Sequence, residues 1–255
     1  NDRWSAMGVV SQSWLTSRSF TNGSVQRATG TSPTLSLMYK PLPNVMTYVA
    51  YADSLEQGDT APNSAVNKAQ TLKPYRSTQY EAGVKSQWDG LNLNAAVFRL
   101  ERPFAYVDPS DNVFKEQGKQ VNTGLELAAD GEVLSGLHVY ASTTLLDPKL
   151  TDTGIAATRD KRVLGVPKFQ ANLLTEYSHP AYPNMVYTAN LHYTGKRAAN
   201  NTNTSWADSY MTLDLGTRYG FKIYDKPAAF RVALNNVTNE HYWSSLFPYN
   251  QNGKN

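Results

Sequence analysis

The chain contains no cysteine, which excludes a disulfide scaffold, a thiolate metal site and a cysteine nucleophile. It contains no run of about 18 apolar residues, so no segment reads as a transmembrane helix. Its mean hydropathy is negative. Neither property excludes a membrane, because a barrel strand shows lipid only at every second residue. Helical periodicity is nowhere sustained. Basic residues number 24 and acidic residues 21, with no basic run, so nothing points to nucleic acid. The four histidines, His138, His179, His192 and His241, are scattered and form no HExxH spacing. No nucleophile elbow surrounds any serine. Metal-dependent and triad hydrolysis are therefore unsupported. Asn22-Gly23-Ser24 and Asn236-Val237-Thr238 match a glycosylation sequon, as polar chains do by chance.

What is present is a two-residue rhythm. Met211, Leu213, Leu215 and Tyr219 fall on one side of a stretch whose other side carries Tyr210, Thr212, Asp214 and Arg218. Such alternation describes a strand with one face in an apolar medium and one in a polar medium. The same beat runs through Trp4–Trp14, Leu35–Tyr39, Val45–Tyr51, Tyr80–Lys85, Leu91–Phe98, Gln120–Leu127, Leu137–Leu145, Gln170–Tyr177, Met185–Thr194 and Phe230–Asn235. These readings give about 11 strands and no domain boundary. The 16 tyrosines and 5 tryptophans suit β structure and interfacial girdles.

The connections sort by length. Short turns are expected at residues 41–44, 88–90, 130–136, 179–184 and 220–227. Long polar loops are expected at 15–31, 53–75, 103–118, 147–167, 196–208 and from 238 onward. Barrels of the outer membrane place short turns on the periplasmic side and long loops outside the cell. Aromatics gather at the short-turn ends, at Tyr39, Trp88, Tyr177, Tyr187 and Tyr219. The polar face carries Asn92, Asn94, Asn122, Glu126, Gln170, Asn172, Glu176, Asn190, His192, Asp214, Arg218, Arg231 and Asn235. That mixture suits a wet or plugged lumen better than a dry core. The expected fold is all-β: an antiparallel transmembrane β-barrel, of which this chain is a part.

Particular segments carry a family resemblance: Tyr39-Lys40-Pro41 with Val45–Tyr51, Leu72-Lys73-Pro74 with Gln79–Lys85, Ala95–Glu101, and Gly118–Glu126. Gly165-Val166-Pro167, Tyr193-Thr194-Gly195, Thr212–Gly216 and Asn235–Tyr242 continue it. In order and spacing the chain resembles the C-terminal half of the barrel of TonB-dependent siderophore receptors. The resemblance implies a barrel of about 22 strands filled by an N-terminal plug domain. It implies uptake of a ferric siderophore, powered through TonB, across the outer membrane of a Gram-negative bacterium. It also implies lipid and lipopolysaccharide around the barrel, no enzymatic activity, and no cofactor beyond the ferric siderophore carried as ligand. Residues 1–255 are expected to be the C-terminal portion of such a barrel. The plug, TonB box and closing strand would then lie outside this chain, since a half barrel has two open edges that lipid cannot satisfy.

The long loops hold aromatics among polar residues: Phe20, Phe104, Tyr106, Phe114, Trp206, Tyr242, Trp243, Phe247 and Tyr249. Arg102, Arg159, Arg162 and Arg197 are loop cations. Aromatic walls with cations suit a large chelate. The residues favoured for ligand contact are Tyr106, Trp206, Trp243, Phe104 and Arg197. Three other classes share part of the pattern: a passive porin, a barrel-embedded hydrolase, and a soluble β-propeller or sandwich.

Overall fold

A computed structural model describes residues 3–18, 23 and 25–246. Phe20, Phe247 and Tyr249 lie outside the described residues, as does most of the loop expected to follow the first strand. The described chain is all strand and loop. Its order is β1 (Trp4–Arg18), β2 (Val25–Leu42), β3 (Val45–Glu56), β4 (Tyr75–Trp88), β5 (Leu91–Val107), β6 (Phe114–Leu134) and β7 (Leu137–Thr151). There follow β8 (Phe169–Ser178), β9 (Met185–Thr194), β10 (Arg197–Ala198), β11 (Trp206–Ala207), β12 (Tyr210–Ile223) and β13 (Lys226–Leu234). Eleven of these form one antiparallel meander ordered β1-β2-β3-β4-β5-β6-β7-β8-β9-β12-β13. The β10–β11 ladder is separate and lies within the loop before β12. Two residues per strand are too few to show a period, so nothing in the sequence announced it.

Register makes the two faces continuous. Val49, Ala82, Val97, Leu125, Leu145 and Phe169 are successive cross-strand partners on one face. Tyr48, Gly83, Ala96, Glu126, Thr144, Gln170, Thr194 and Tyr210 are partners on the other. On the apolar face Val97 is 55% exposed and Val49 54%, so nothing among the described residues covers them. The buried hydrophobic cluster lies instead among the loops, at Ala61, Ala65, Tyr75, Ala105 and Phe114. An extended apolar sheet face with no second layer does not suit a soluble sandwich. It suits lipid.

Aromatic rings bracket that face. Trp4 packs on Tyr39 at 4.5 Å near the turn end, where Trp88, Tyr177, Tyr187 and Tyr219 are also exposed. At the loop end Tyr51 meets Tyr80 at 5.2 Å and Phe169 meets Tyr193 at 5.6 Å. From Tyr80 to Trp88 β4 rises about 27 Å, and strand tilt brings this near the ~25 Å apolar band of an outer-membrane barrel. Just beyond the loop-end rings, the same face turns charged. Arg99 pairs with Glu101 at 2.7 Å, and Asp147 with Lys149 at 2.6 Å and Lys168 at 3.3 Å. Charges at this height mark the end of hydrocarbon.

The polar face is packed by its own rules. Gly83 sits opposite Tyr48, and a Cβ there would come within 2.7 Å of the tyrosine ring. Gly124 leaves the same room for Phe98. The Tyr48 hydroxyl donates to Glu81 at 2.5 Å, and the Gln79 amide donates to the same carboxylate at 2.9 Å. Lys85 lies over the Tyr48 ring.

Several expected boundaries are corrected. The loop expected at 15–31 is mostly strand, since β1 continues to Arg18 and β2 starts at Val25. The loop at 103–118 is likewise an extended hairpin with its tip at 108–113. Above the hydrocarbon both strand faces meet water, so hydrogen-bonded strands continue without an apolar period to reveal them. Pro33 and Pro103 lie within such arms, each where pairing survives on one side only. Proline is tolerated there because a free edge needs no donor. The turns expected at 130–136 and 220–227 shrink to Ser135-Gly136 and Tyr224-Asp225. The strict alternation of loop length therefore weakens: at the loop end, part of the reach comes from arms. The loops at 57–74, 152–168 and 195–209 remain long.

The face assignment predicts unequal costs for neighbouring substitutions. Leu173 lies mid-band on the apolar face, between Ala141 and Leu191, and Asn172 faces the other way. In the whole protein in phospholipid vesicles, Leu173→Lys is expected to cost about 2–4 kcal/mol. Asn172→Lys is expected to stay within about 0.5 kcal/mol. Denaturant unfolding curves of the two variants measure the difference.

Candidate functional site

The loop end is built from two bodies. In the first, the loop 57–74 is tied to the β5–β6 arm. The Asn67 side chain donates to the Phe114 carbonyl at 2.9 Å and accepts from its amide at 2.8 Å, as a neighbouring strand would. The Asn112 side chain donates to the Ser64 carbonyl at 2.9 Å. Beneath these bonds lies the cluster of Tyr75, Phe114 and three alanines. Burial pushes the Tyr75 hydroxyl above the ordinary tyrosine range, with the Asp59 carboxylate adding to the shift. At the arm tip the Lys115 ammonium holds the Asp108 and Asp111 carboxyls below theirs. Arg102 bonds Glu56 at 2.9 Å and lies over the Tyr75 ring.

Tyr106 and Phe104 belong to this first body. Their rings lie 5.9 Å apart, and Tyr106 is buried. Its hydroxyl accepts the Gly154 amide at 2.9 Å, which ties the arm to the loop 152–168. A Cβ at Gly154 would stand 2.9 Å from that oxygen, so the close approach depends on glycine.

The second body joins the loops 152–168 and 195–209 to the segment after β13. Asn203 grips the backbone of Arg162, accepting from its amide at 2.7 Å and donating to its carbonyl at 3.0 Å. Leu164 bridges Ala198, and the Gly165 amide donates to the Ala198 carbonyl at 2.9 Å. The β10–β11 ladder presents Trp206, whose ring is approached by Arg162 at 5.0 Å and by Lys196 at 5.6 Å. Lys196 also pairs with Asp208 at 3.8 Å.

The segment 235–246 leaves the sheet by side-chain direction. The Asn236 amide donates to Asp214 at 2.7 Å, and the Asn236 side chain accepts the Glu240 amide at 2.9 Å. Asn236 and Asn239 take positive φ, which asparagine tolerates better than most residues. The turn carries Tyr242 onto Tyr210, stacked at 4.0 Å and 15°. Arg197 lies over the other ring of that pair, Tyr210, at 5.4 Å, and caps the Trp243 and Ser244 carbonyls. Its Nε is a buried donor with no partner among the described residues. His192 bonds Thr194 at 3.0 Å beside the same cluster.

Thus Trp206, Trp243 and Arg197 come together, whereas Phe104 and Tyr106 stand on the other body. Trp243 is 71% exposed. Arg197 is buried and holds the strand of chain that displays it. Tyr210 was legible as a polar-face residue of β12 but not as the platform for Tyr242. Arg162 and Arg102 look alike as loop cations; Arg102 is ion-paired, and among the described residues Arg162 enters no ion pair and lies against an indole.

A sheet with one lipid face, one polar face and a loop-built aromatic and cationic end defines a class: the wall of a membrane-spanning β-barrel. The chain belongs to the TonB-dependent receptor family, its residues 1–239 matching the model described as TonB dependent receptor-like, beta-barrel. It is 33% identical to the ferrichrome receptor FcuA of Yersinia enterocolitica, over 96% of this chain and 34% of that protein. It is 27% identical to the probable TonB-dependent siderophore receptor PiuA of Acinetobacter baumannii, over 83% of this chain and 30% of that protein. The crystal structure of BauA, the ferric preacinetobactin receptor of Acinetobacter baumannii, superposes with a TM-score of 0.78 at 27% identity, covering 95% of this chain and 37% of that one. The chain spans about a third of the length of these relatives. The family is one of receptors and transporters rather than enzymes.

The Tyr106 contact makes a local prediction. Tyr106→Phe keeps the ring and removes the acceptor of the Gly154 amide, at an expected cost of about 1 kcal/mol. Faster amide exchange at Gly154 and faster protease cleavage within 152–168 would register the loss; unchanged rates would show the bond to be unimportant.

Proposed function

We propose that this chain is the C-terminal portion of the barrel of an outer-membrane receptor that binds a ferric siderophore and imports it with energy supplied through TonB. The observation that carries the reading is exposed Trp243 and half-buried Trp206, the latter flanked by Arg162 and Lys196, at the loop end of a sheet whose other faces suit lipid and lumen. Aromatic surfaces give a large chelate contact area at low entropic cost, and cations answer its charge. Relatives that include ferrichrome, ferrioxamine B and ferric-pyoverdine receptors agree with such a cargo.

The remaining parts follow from unmet needs of the sheet. Among the described residues β1 and β13 each pair on one side only. Hydrocarbon cannot satisfy such edges, so further strands close the barrel. The polar face, with Glu81, Lys85, Glu126, Arg218 and Arg231, meets a plug domain and water. That plug, not this chain, carries the contact to TonB. The charged belt above the loop-end rings, including Arg99, Lys119, Lys149 and Lys168, meets lipopolysaccharide headgroups in a Gram-negative outer membrane. A passive porin would share the wall but need no ligand-facing aromatics.

The test is binding of ferric siderophores to the full-length protein, followed by quenching of tryptophan fluorescence. Binding is expected for at least one chelate among hydroxamate, catecholate and carboxylate classes. Inertness toward all three overturns the assignment. Trp206→Ala is expected to weaken binding by about 1 kcal/mol, or roughly fivefold. Trp243→Phe is expected to remove part of the quench while leaving affinity nearly unchanged.

A further inference from the structure

The loop pair that displays Trp206 carries an uncompensated positive charge. Across 152–168 and 195–209 the basic residues are Arg159, Lys161, Arg162, Lys168, Lys196 and Arg197, and the acidic ones are Asp152, Asp160 and Asp208. Lys168 is taken up by Asp147 at 3.3 Å, and Asp152 lies 4.0 Å from Lys119. Lys196 has only the exposed Asp208, at 3.8 Å. Arg159, Lys161, Arg162 and Arg197 enter no ion pair among the described residues. In the first body, by comparison, Arg102 of β5 pairs with Glu56 and Asp59.

A further observation makes the charge a recognition feature rather than a solvated rim. Arg162 and Lys196 both approach the one indole of Trp206, and Asn203 fixes the Arg162 backbone from both sides. A guanidinium against an indole has given up part of its hydration and found no carboxylate in return. A group that brings negatively charged oxygens to the Trp206 ring answers Arg162 and Lys196 together.

The geometry points to a charge preference: the Trp206 face, through Arg162 and Lys196, selects ferric chelates of net negative charge, such as tris(catecholate) complexes, over neutral trihydroxamate complexes. This rests on the siderophore-receptor reading above and adds to it the chemical class of the cargo. Flat catecholate rings also suit the indole, with oxygen-borne charge at their edge for the two cations.

The experiment compares a ferric tris(catecholate) with a neutral ferric trihydroxamate on the full-length receptor in detergent. The wild type is set beside the double variant Arg162→Gln/Lys196→Gln and the control Lys168→Gln. The double variant is expected to lose about tenfold in affinity for the anionic chelate and less than about twofold for the neutral one. Raising the salt concentration is expected to weaken only the anionic complex in the wild type. The control is expected to match the wild type, because Lys168 is engaged by Asp147. Equal losses for both chelates, an unchanged anionic affinity, or tighter wild-type binding of the neutral chelate overturns the charge preference and leaves the receptor reading standing. Failure of the wild type to bind either chelate or any carboxylate chelate overturns both. Because Asn203 holds Arg162 by its backbone, the side-chain change leaves the loop its anchors; thermal unfolding of the variant checks this.

Discussion

Every backbone amide and carbonyl of a strand in hydrocarbon must find its partner on a neighbouring strand, since lipid offers none. That requirement dictates the long uninterrupted ladders from β1 to β13. It also explains why irregular backbone appears only beyond the aromatic rings. Within the band, strands are tied on both sides wherever the sheet allows. Past it, water can hydrogen-bond a free edge, and the wall breaks up into arms, a small ladder and looped segments. The aromatic rings, the charged belt and the first unpaired edges all fall at the same height because one boundary, the end of the hydrocarbon, sets all three.

The division of labour at the loop end follows from the same boundary. Once backbone pairing is optional, side chains must hold the chain in shape. Asn67, Asn203 and Asn236 do so by offering an amide that imitates a peptide group, each bonding a backbone far from it in sequence or directing its own turn. Arg197 serves the segment after β13 in a related way, spending its guanidinium on carbonyls rather than on a carboxylate. Exposed Trp243 and half-buried Trp206 are thereby displayed on scaffolds fixed from behind.

What could be read from the sequence tracks this physics. Strands such as β4 and β9 were visible because lipid imposes an apolar residue at every second place, at Tyr80, Ala82 and Val84, or at Tyr187, Ala189 and Leu191. The arms from Leu15 to Arg18 and from Pro103 to Val107 were invisible because water wets both of their faces. Proline strengthened that error by suggesting a break at Pro103 where a free edge simply tolerates it. At the mouth, Trp206 and Trp243 stood out as aromatics in polar loops. The burial of Tyr106 and the capping role of Arg197 depend on Gly154, Trp243 and Ser244, and no local pattern links residues so far apart.

The prolines of the arms have a consequence for life in a crowded membrane. A two-stranded arm standing in water offers its free edge to any other extended chain, including the same arm on a neighbouring molecule. Pro33 and Pro103 each remove a donor from the ladder such a neighbour would need. Receptors packed side by side can therefore project tall, ordered arms without stitching together into a common sheet.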